Sequence, residues 1–138
     1  MKVILDTCVI AEVRRFDGSP TVKIAVEKIP DEDLFLSVLT IGEITKGIAL
    51  LPAGKKKSTL NSWITGLQKE FSQRILPVDI ETAQVWGELT ARAQKSGITI
   101  PALDGMLAAS ALQHGMQIMT RNTKHFAASG ALVIDPWL

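Results

Sequence analysis

Short apolar segments alternate with segments of helical periodicity along the whole chain. Residues 2–5 read as a buried strand closed by Asp6, and apolar residues then recur at helical spacing from Val9 to Phe16. This succession predicts five strands and the helices between them, with the strands at residues 2–5, 34–38, 75–79, 116–119 and 132–134. Such alternation predicts an α/β fold, with a mostly parallel central sheet flanked by helices on both faces.

The predicted helices follow the strands without a long linker or an internal repeat. Pro20 suits the first turn of a helix that ends at Pro30, and Gly115 suits a helix end. The main helices are expected at residues 9–16, 20–29, 40–51, 60–71, 83–93 and 104–112, with loops at 15–19, 53–57 and 98–103. Pro77 shortens the third strand or places it at a sheet edge.

Length and composition describe one compact domain over residues 1–138. Hydrophobic residues make up 46% of the chain and charged residues 21%, which excludes a disordered protein. A chain of this length buries about two-thirds of its surface and forms a core without disulfide or zinc support. The net charge of +1 carries no information about a nucleic-acid partner.

The one cysteine and the apolar runs limit the cellular setting. Cys8 alone forms no intramolecular disulfide or cysteine zinc cluster, and its apolar surroundings predict a buried, inert thiol. The run at residues 3–5 is too short for the core of a secretory signal. Glu43, Lys46 and His114 interrupt the longest candidates for a membrane span. We therefore expect a cytoplasmic protein with no membrane partner.

Polar residues follow several of the predicted strands. Asp6 directly follows the first strand, Glu43 lies near the start of the next helix, and Asp104 opens the small-residue helix. Thr120 and Asn122 follow the fourth strand. Because functional sites of parallel α/β sheets form beyond the carboxyl ends of the strands, these side chains are candidates for one site.

Each acid also has a purely structural interpretation. Asp6 and Asp104 suit helix N-caps, and Thr40 with Glu43 fits a capping box. Three carboxylates at one edge, however, raise each other's pKa values unless a cation intervenes. Mg²⁺ and Mn²⁺ prefer such oxygen ligands and activate water for in-line attack on a phosphodiester. The acids together indicate a Mg²⁺- or Mn²⁺-type phosphate site.

Four segments carry a family resemblance that covers essentially the whole chain. They are Val3-Ile-Leu-Asp-Thr7, Thr40-Ile-Gly-Glu-Ile44, Ile100-Pro-Ala-Leu-Asp-Gly105 and Met119-Thr-Arg-Asn-Thr-Lys-His-Phe126. In this order the chain resembles the PIN-domain ribonucleases, in particular the VapC and FitB-like toxins of bacterial toxin–antitoxin pairs. The resemblance implies a PIN-like fold and a metal-dependent endoribonuclease.

The resemblance also implies roles for individual residues. Asp6, Glu43 and Asp104 would be catalytic and would bind Mg²⁺ or Mn²⁺, and Thr7 would orient Asp6 or a bound water. Thr120 and Asn122 would support them, the Asn122 carbonyl oxygen binding the ion or its water shell.

The family's frequent fourth acid is replaced here by His125. Relatives with this substitution are known, and neutral imidazole is a poor Mg²⁺ ligand, so the number of metals stays open. We interpret His125 as a surface or structural residue and His114 as a favourable group near a helix C-terminus.

Several basic residues are candidates for contact with RNA phosphates. Lys46 lies one turn after Glu43 on the same helix face, and it either steadies that carboxylate or meets the substrate backbone. Arg121 follows the fourth strand, and the remaining candidates are Arg14, Arg15 and Lys55–Lys57. Few aromatic residues are available for base stacking, and Trp63 and Trp86 fit helical core faces.

The resemblance implies a homodimer and a protein antitoxin. The extended tail of the antitoxin would dock beside the first two helices and insert a basic side chain among the acids. An apolar groove there would involve Phe16, Val22, Ala25, Val26 and Ile29, although most of these are expected to cover the sheet.

Two functions therefore remain open from the sequence. One is a ribonuclease toxin in which the three acids hold the metal and water attacks RNA directly. The alternative is a catalytically weakened PIN-like module that binds RNA or a protein partner. Asp104→Asn separates them, because the substitution abolishes cleavage but leaves phosphate binding intact or stronger.

Overall fold

The computed structural model describes residues 1–138 and contains one five-stranded sheet. The strand order is β3-β2-β1-β4-β5, and every neighbouring pair is parallel. The strands are β1 (Val3–Leu5), β2 (Leu34–Ser37), β3 (Ile75–Leu76), β4 (Gln117–Met119) and β5 (Val133–Ile134). The predicted parallel sheet is confirmed, and β3 is a short edge strand that stops before Pro77.

Helices cover both faces of the sheet, as predicted. The strand β1 shows this division, because Val3 and Leu5 enter one apolar cluster and Ile4 enters the other. The helices are α1 (Thr7–Arg14), α2 (Pro20–Glu27), α3 (Val38–Ala49), α4 (Lys55–Glu70), α5 (Ile80–Lys95), α6 (Ala102–His114) and α7 (Thr123–Phe126), with a 3₁₀ turn at Asp31–Asp33. The helices α1, α2 and α4 pack on the Val3 face, and α5, α6 and α7 pack on the Ile4 face.

The start of α4 differs from the predicted loop at residues 53–57. Lys55, Lys56 and Lys57 form the first turn of this helix, which begins directly after Gly54. Lysine is a good helix former, so the three lysines extend the amphipathic helix towards Pro52. The predicted helix end at Gly115 is confirmed, since this residue adopts the left-handed conformation with φ 65°.

No helix of the structure combines the length and apolar character needed to cross a bilayer. Trp63 and Trp86 each pack against one of the two apolar clusters, as their helical spacing predicted.

Close packing between α5 and α6 positions the start of α6. A Cβ atom added to Gly105 would lie 3.0 Å from Trp86 Nε1 and 3.1 Å from Trp86 Cδ1. Gly105 therefore lets the indole ring approach the backbone next to Asp104. The exposed Gly87 of α5 has no neighbouring atom within 4 Å of such a Cβ.

We expect Gly105→Ala to be less stable than Gly87→Ala. Gly87→Ala should raise the free energy of unfolding by about 1 kcal/mol, because alanine is the better helix former. Gly105→Ala should be less stable than Gly87→Ala by about 1–3 kcal/mol, because its methyl group overpacks against Trp86. Urea unfolding of both variants measures this difference. Equal unfolding free energies would show that the Trp86 contact relaxes without cost.

Candidate functional site

Asp6 is a buried carboxylate at the carboxyl end of β1, with 6% of its surface exposed. Its backbone N–H donates to Met119 O at 3.0 Å, so the β1–β4 pairing fixes its position. Asp6 Oδ1 accepts the Thr7 N–H at 2.8 Å, as the N-cap prediction requires. The cap uses only Oδ1, so the second carboxylate oxygen, Oδ2, is available for another contact.

Thr120 supplies the partner of that second oxygen. The fully buried Thr120 hydroxyl donates from Oγ1 to Asp6 Oδ2 at 2.7 Å, and the same Oγ1 accepts the Asn122 N–H at 3.0 Å. The ends of β1 and β4 are therefore joined through two side chains. The exposed Asn122 itself contributes only its backbone to this network.

Glu43 reaches the same edge from α3. The capping-box prediction for Thr40 and Glu43 is wrong, because α3 begins at Val38 with Ser37 as its N-cap. Glu43 therefore lies in the second turn, where its Oε1 accepts the Thr7 hydroxyl at 3.0 Å. Thr7 thus connects two acids, through its N–H to Asp6 and its hydroxyl to Glu43.

Asp104 is also free of the capping role predicted for it. The helix α6 begins at Ala102 after Pro101, so Asp104 lies inside the first turn. Its Oδ2 lies 2.8 Å from His125 Nδ1, with 22% of the Asp104 side chain and 50% of the His125 side chain exposed. The interpretation of His125 as a surface or structural residue is compatible with this half-exposed position, and the structure adds that the imidazole contacts an acid of the candidate site.

The acids repel one another at this edge. Partial desolvation raises the pKa of Glu43, and the charges of Asp6 and Asp104 raise it further against the Thr7 hydrogen bond. Desolvation likewise raises the pKa of Asp104, with Asp6 adding to the effect and His125 opposing it. The three carboxylates therefore share one electrostatic environment.

No lysine or arginine neutralises these acids. The ion pairs of the chain join the N-terminus to Asp33, Arg15 to Asp17 and His125 to Asp104. Lys46 forms no ion pair with Glu43, so the predicted steadying contact is not present.

The donor set suits a hard divalent cation. It consists of the carboxylate oxygens of three acids, the charge of Asp6 raising the pKa of both Glu43 and Asp104, and such oxygens are the preferred ligands of Mg²⁺ and Mn²⁺. In the present side-chain conformations, no three acid, histidine or cysteine side chains converge as ready ligands. Asp6 is hydrogen-bonded on both carboxylate oxygens, whereas Glu43 and Asp104 are each hydrogen-bonded on one.

Cys8 lies beside this network and is only partly buried, which corrects the prediction of a buried thiol. Its Sγ lies 3.6 Å from Thr120 Oγ1. Burial is the main cause that raises the pKa of the thiol, and the negative charge of Asp6 adds to it. The thiol is therefore protonated near neutral pH and is not a nucleophile.

Arg121 and Trp137 flank the same edge. The guanidinium carbon of Arg121 lies 5.0 Å from the centre of the Trp137 ring. No periodicity marks Trp137 as a site residue, because it follows the last strand in an irregular segment.

An apolar groove of about 250 Å³ lies between α1, α2 and α4. Of the residues predicted to form a groove, only Val26 lines it, while Phe16 is fully exposed and Val22 is buried in the core. The sequence did not predict the other wall of the groove, which is formed by Trp63 and Leu67 of α4 and by Phe71 directly after this helix.

Known proteins share this sequence and this fold. The profile of the PIN-domain family matches residues 3–131. The chain is 34% identical to the VapC ribonuclease Y4jK of Sinorhizobium fredii, over 98% of this chain and 97% of that protein. It is 36% identical to the toxin FitB of Neisseria gonorrhoeae, over 98% of each. The crystal structure of FitAcB from Neisseria gonorrhoeae superposes with a TM-score of 0.93 at 36% identity, over 98% of both chains. The chain therefore belongs to the PIN-domain family, in the group that contains VapC and FitB proteins.

Proposed function

We propose that this protein is a metal-dependent endoribonuclease and the toxin of a toxin–antitoxin pair. The observation that carries the proposal is the group of Asp6, Glu43 and Asp104, three acids at one sheet edge without a lysine or arginine partner. Relatives that match the whole chain are a VapC ribonuclease and the toxin FitB, which supports the same activity and role.

The residues of the site have separate roles in this proposal. Asp6 provides a fixed carboxylate, held by the Thr7 N–H and the Thr120 hydroxyl. Glu43 and Asp104 complete the acidic set from α3 and α6, and Asn122 is assigned to the cation or its water shell. A bound Mg²⁺ or Mn²⁺ would polarise the phosphodiester and lower the pKa of a coordinated water.

Water is the nucleophile in this proposal, and it attacks phosphorus in line with the leaving oxygen. The Cys8 thiol does not compete as a nucleophile, because burial raises its pKa and the thiol keeps its proton. Lys46 lies in the same helix as Glu43, has no ion-pair partner, and is assigned to the RNA backbone.

Asp104→Asn is expected to abolish RNA cleavage while keeping the fold. The substitution removes one ligand charge but retains an oxygen that accepts a hydrogen bond from His125. We expect the cleavage rate of total RNA with Mn²⁺ to fall by about 100-fold or more. Sequencing of the new RNA ends measures the cuts, and a chelator should remove them as well.

Asp17→Asn is the matched control for this experiment. Asp17 is an exposed acid paired with Arg15 on the surface, 75% of its side chain being exposed, so its loss should leave cleavage unchanged. If the wild-type protein makes no cuts but binds RNA, the chain is the catalytically weakened binding module instead.

Removal of one acid charge should stabilise the protein at neutral pH. The raised pKa values of Glu43 and Asp104 mean that the folded protein binds their protons more tightly than the unfolded chain does. Stability therefore falls as pH rises from the ordinary carboxyl pKa through the raised one. We expect Glu43→Gln to raise Tm by about 2–4 °C at pH 7.5 and to change it little at about pH 4 and below.

Mn²⁺ should have the same stabilising effect on the wild-type protein, because a cation that binds only the folded state raises Tm. The Mn²⁺-induced shift should shrink in Glu43→Gln and persist in Glu88→Gln, which changes a surface glutamate of α5. Differential scanning calorimetry with and without Mn²⁺ measures both effects. A Tm of Glu43→Gln equal to wild type at pH 7.5 would contradict the electrostatic account.

The groove between α1, α2 and α4 is assigned to the antitoxin. It is lined mostly by apolar side chains and is bounded by the Trp63 ring, so it suits an apolar segment of a protein partner. A basic side chain following that segment would find Asp6, Glu43 and Asp104 without a lysine or arginine partner of their own.

Val13→Arg is expected to prevent this complex. Val13 lines the groove and is 37% exposed, so arginine there places a charge against the apolar segment without entering the core. Phe16→Arg is the control, because Phe16 is fully exposed and lies outside the groove. Co-purification with the co-expressed antitoxin should be lost only in Val13→Arg, and both free variants should still cleave RNA. Equal co-purification of both variants would place the antitoxin elsewhere.

A further inference from the structure

Arg121 and Trp137 are brought together by the parallel register of β4 and β5. Met119 pairs with Ile134, and Thr120 N–H donates to Ile134 O at 2.9 Å. Because the two strands run in the same direction, the residues that follow them leave the sheet at the same edge. Arg121 comes two residues after Met119 and Trp137 three residues after Ile134, so both flank the acids.

The Arg121 guanidinium is held by an aromatic ring and by no carboxylate. Its central carbon lies 5.0 Å from the Trp137 ring centre, within the range of a cation–π contact. The ion pairs of the chain do not include Arg121. Asp135 is the acid nearest in sequence to Trp137, and its Oδ1 accepts the backbone N–H of Trp137 at 2.9 Å.

The backbone of Arg121 is tied to the acidic site. Arg121 directly follows Thr120, whose hydroxyl donates to Asp6 Oδ2 at 2.7 Å. The side chain of Arg121 is nonetheless exposed. The anchored backbone and the stacked guanidinium together hold a positive charge at the carboxyl ends of β4 and β5, the edge at which Asp6 follows β1, with its N–H donors still free.

We propose that Arg121, positioned by Trp137, binds a phosphate group of the RNA beside Asp6. Stacking fixes the guanidinium by its face and leaves its N–H fork for a phosphate, which is the anion geometry that arginine recognises best. RNA approaching three carboxylates meets repulsion, and a fixed positive charge at their border counteracts it. This inference rests on the proposed ribonuclease function. It adds Trp137 as a positioning residue, which lies outside residues 3–131, the region that the family profile matches.

RNA binding in the cleavage-deficient Asp104→Asn protein tests the phosphate contact. Arg121→Gln should weaken the binding of a short single-stranded RNA about tenfold. It should also reduce the slope of log affinity against log salt concentration by about 0.7, the value for one phosphate contact in single strands. Lys2→Gln is the matched control, because Lys2 stacks on Phe35 with the same charge and precedes β1 at the opposite edge.

The role of Trp137 is tested by combining substitutions. Trp137→Leu should weaken RNA binding about threefold or more, and adding it to Arg121→Gln should cause no further loss. A purely structural tryptophan would lower affinity by the same factor in both backgrounds. Trp137→Phe keeps an aromatic face and should restore most of the binding.

Three outcomes overturn the inference. They are an unchanged affinity or salt slope in Arg121→Gln, an equal loss in Lys2→Gln, and additive effects of the Trp137 and Arg121 substitutions. In the cleavage-active protein, Arg121→Gln should raise KM for RNA more than it lowers kcat. If wild type cleaves RNA and Arg121→Gln is unaffected, this inference alone fails, whereas absence of cleavage by wild type refutes the proposed function itself.

Discussion

The pairing of β1 with β4 is the constraint on which the site depends. In this pairing the Asp6 backbone N–H donates to Met119 O, and Thr120 Oγ1 lies 2.7 Å from Asp6 Oδ2. Both side chains are almost fully buried, so the carboxylate has one position and one orientation. Glu43 and Asp104 come to the same edge from helices α3 and α6, and each has one carboxylate oxygen in a hydrogen bond, to Thr7 and to His125 respectively.

This edge gathers charge that the rest of the chain does not offset. The net charge of +1 is spread over the surface, and the only ion pair at the acids comes from His125. Arg121 and Lys46 lie near in sequence to the acids or their partners but form no ion pair with them. Within the chain, His125 alone opposes the repulsion that raises the pKa of Asp104.

Much of the fold was predictable because local patterns agree with the tertiary structure. The strands follow from apolar runs closed by polar residues, and Asp6, Glu43 and Asp104 stand where parallel strands or their helices place them at one edge. The capping interpretations of Glu43 and Asp104 failed because α3 and α6 begin two residues earlier than expected, at Val38 and Ala102. A helix start shifted by two residues moves a side chain from a cap to the helix surface.

What the sequence did not predict lies in contacts between distant segments. His125 against Asp104 spans 21 residues, and Trp137 against Arg121 depends on the register of two short strands. No periodic pattern encodes either contact, since one joins two separate helices and the other joins the irregular segments that follow β4 and β5. The two contacts have opposite electrical effects, because His125 offsets an acid while Trp137 holds a cation that no acid of the chain neutralises. The border of the acidic edge is therefore electrically asymmetric, with His125 paired to Asp104 on one side and Arg121 paired to no acid at the ends of β4 and β5.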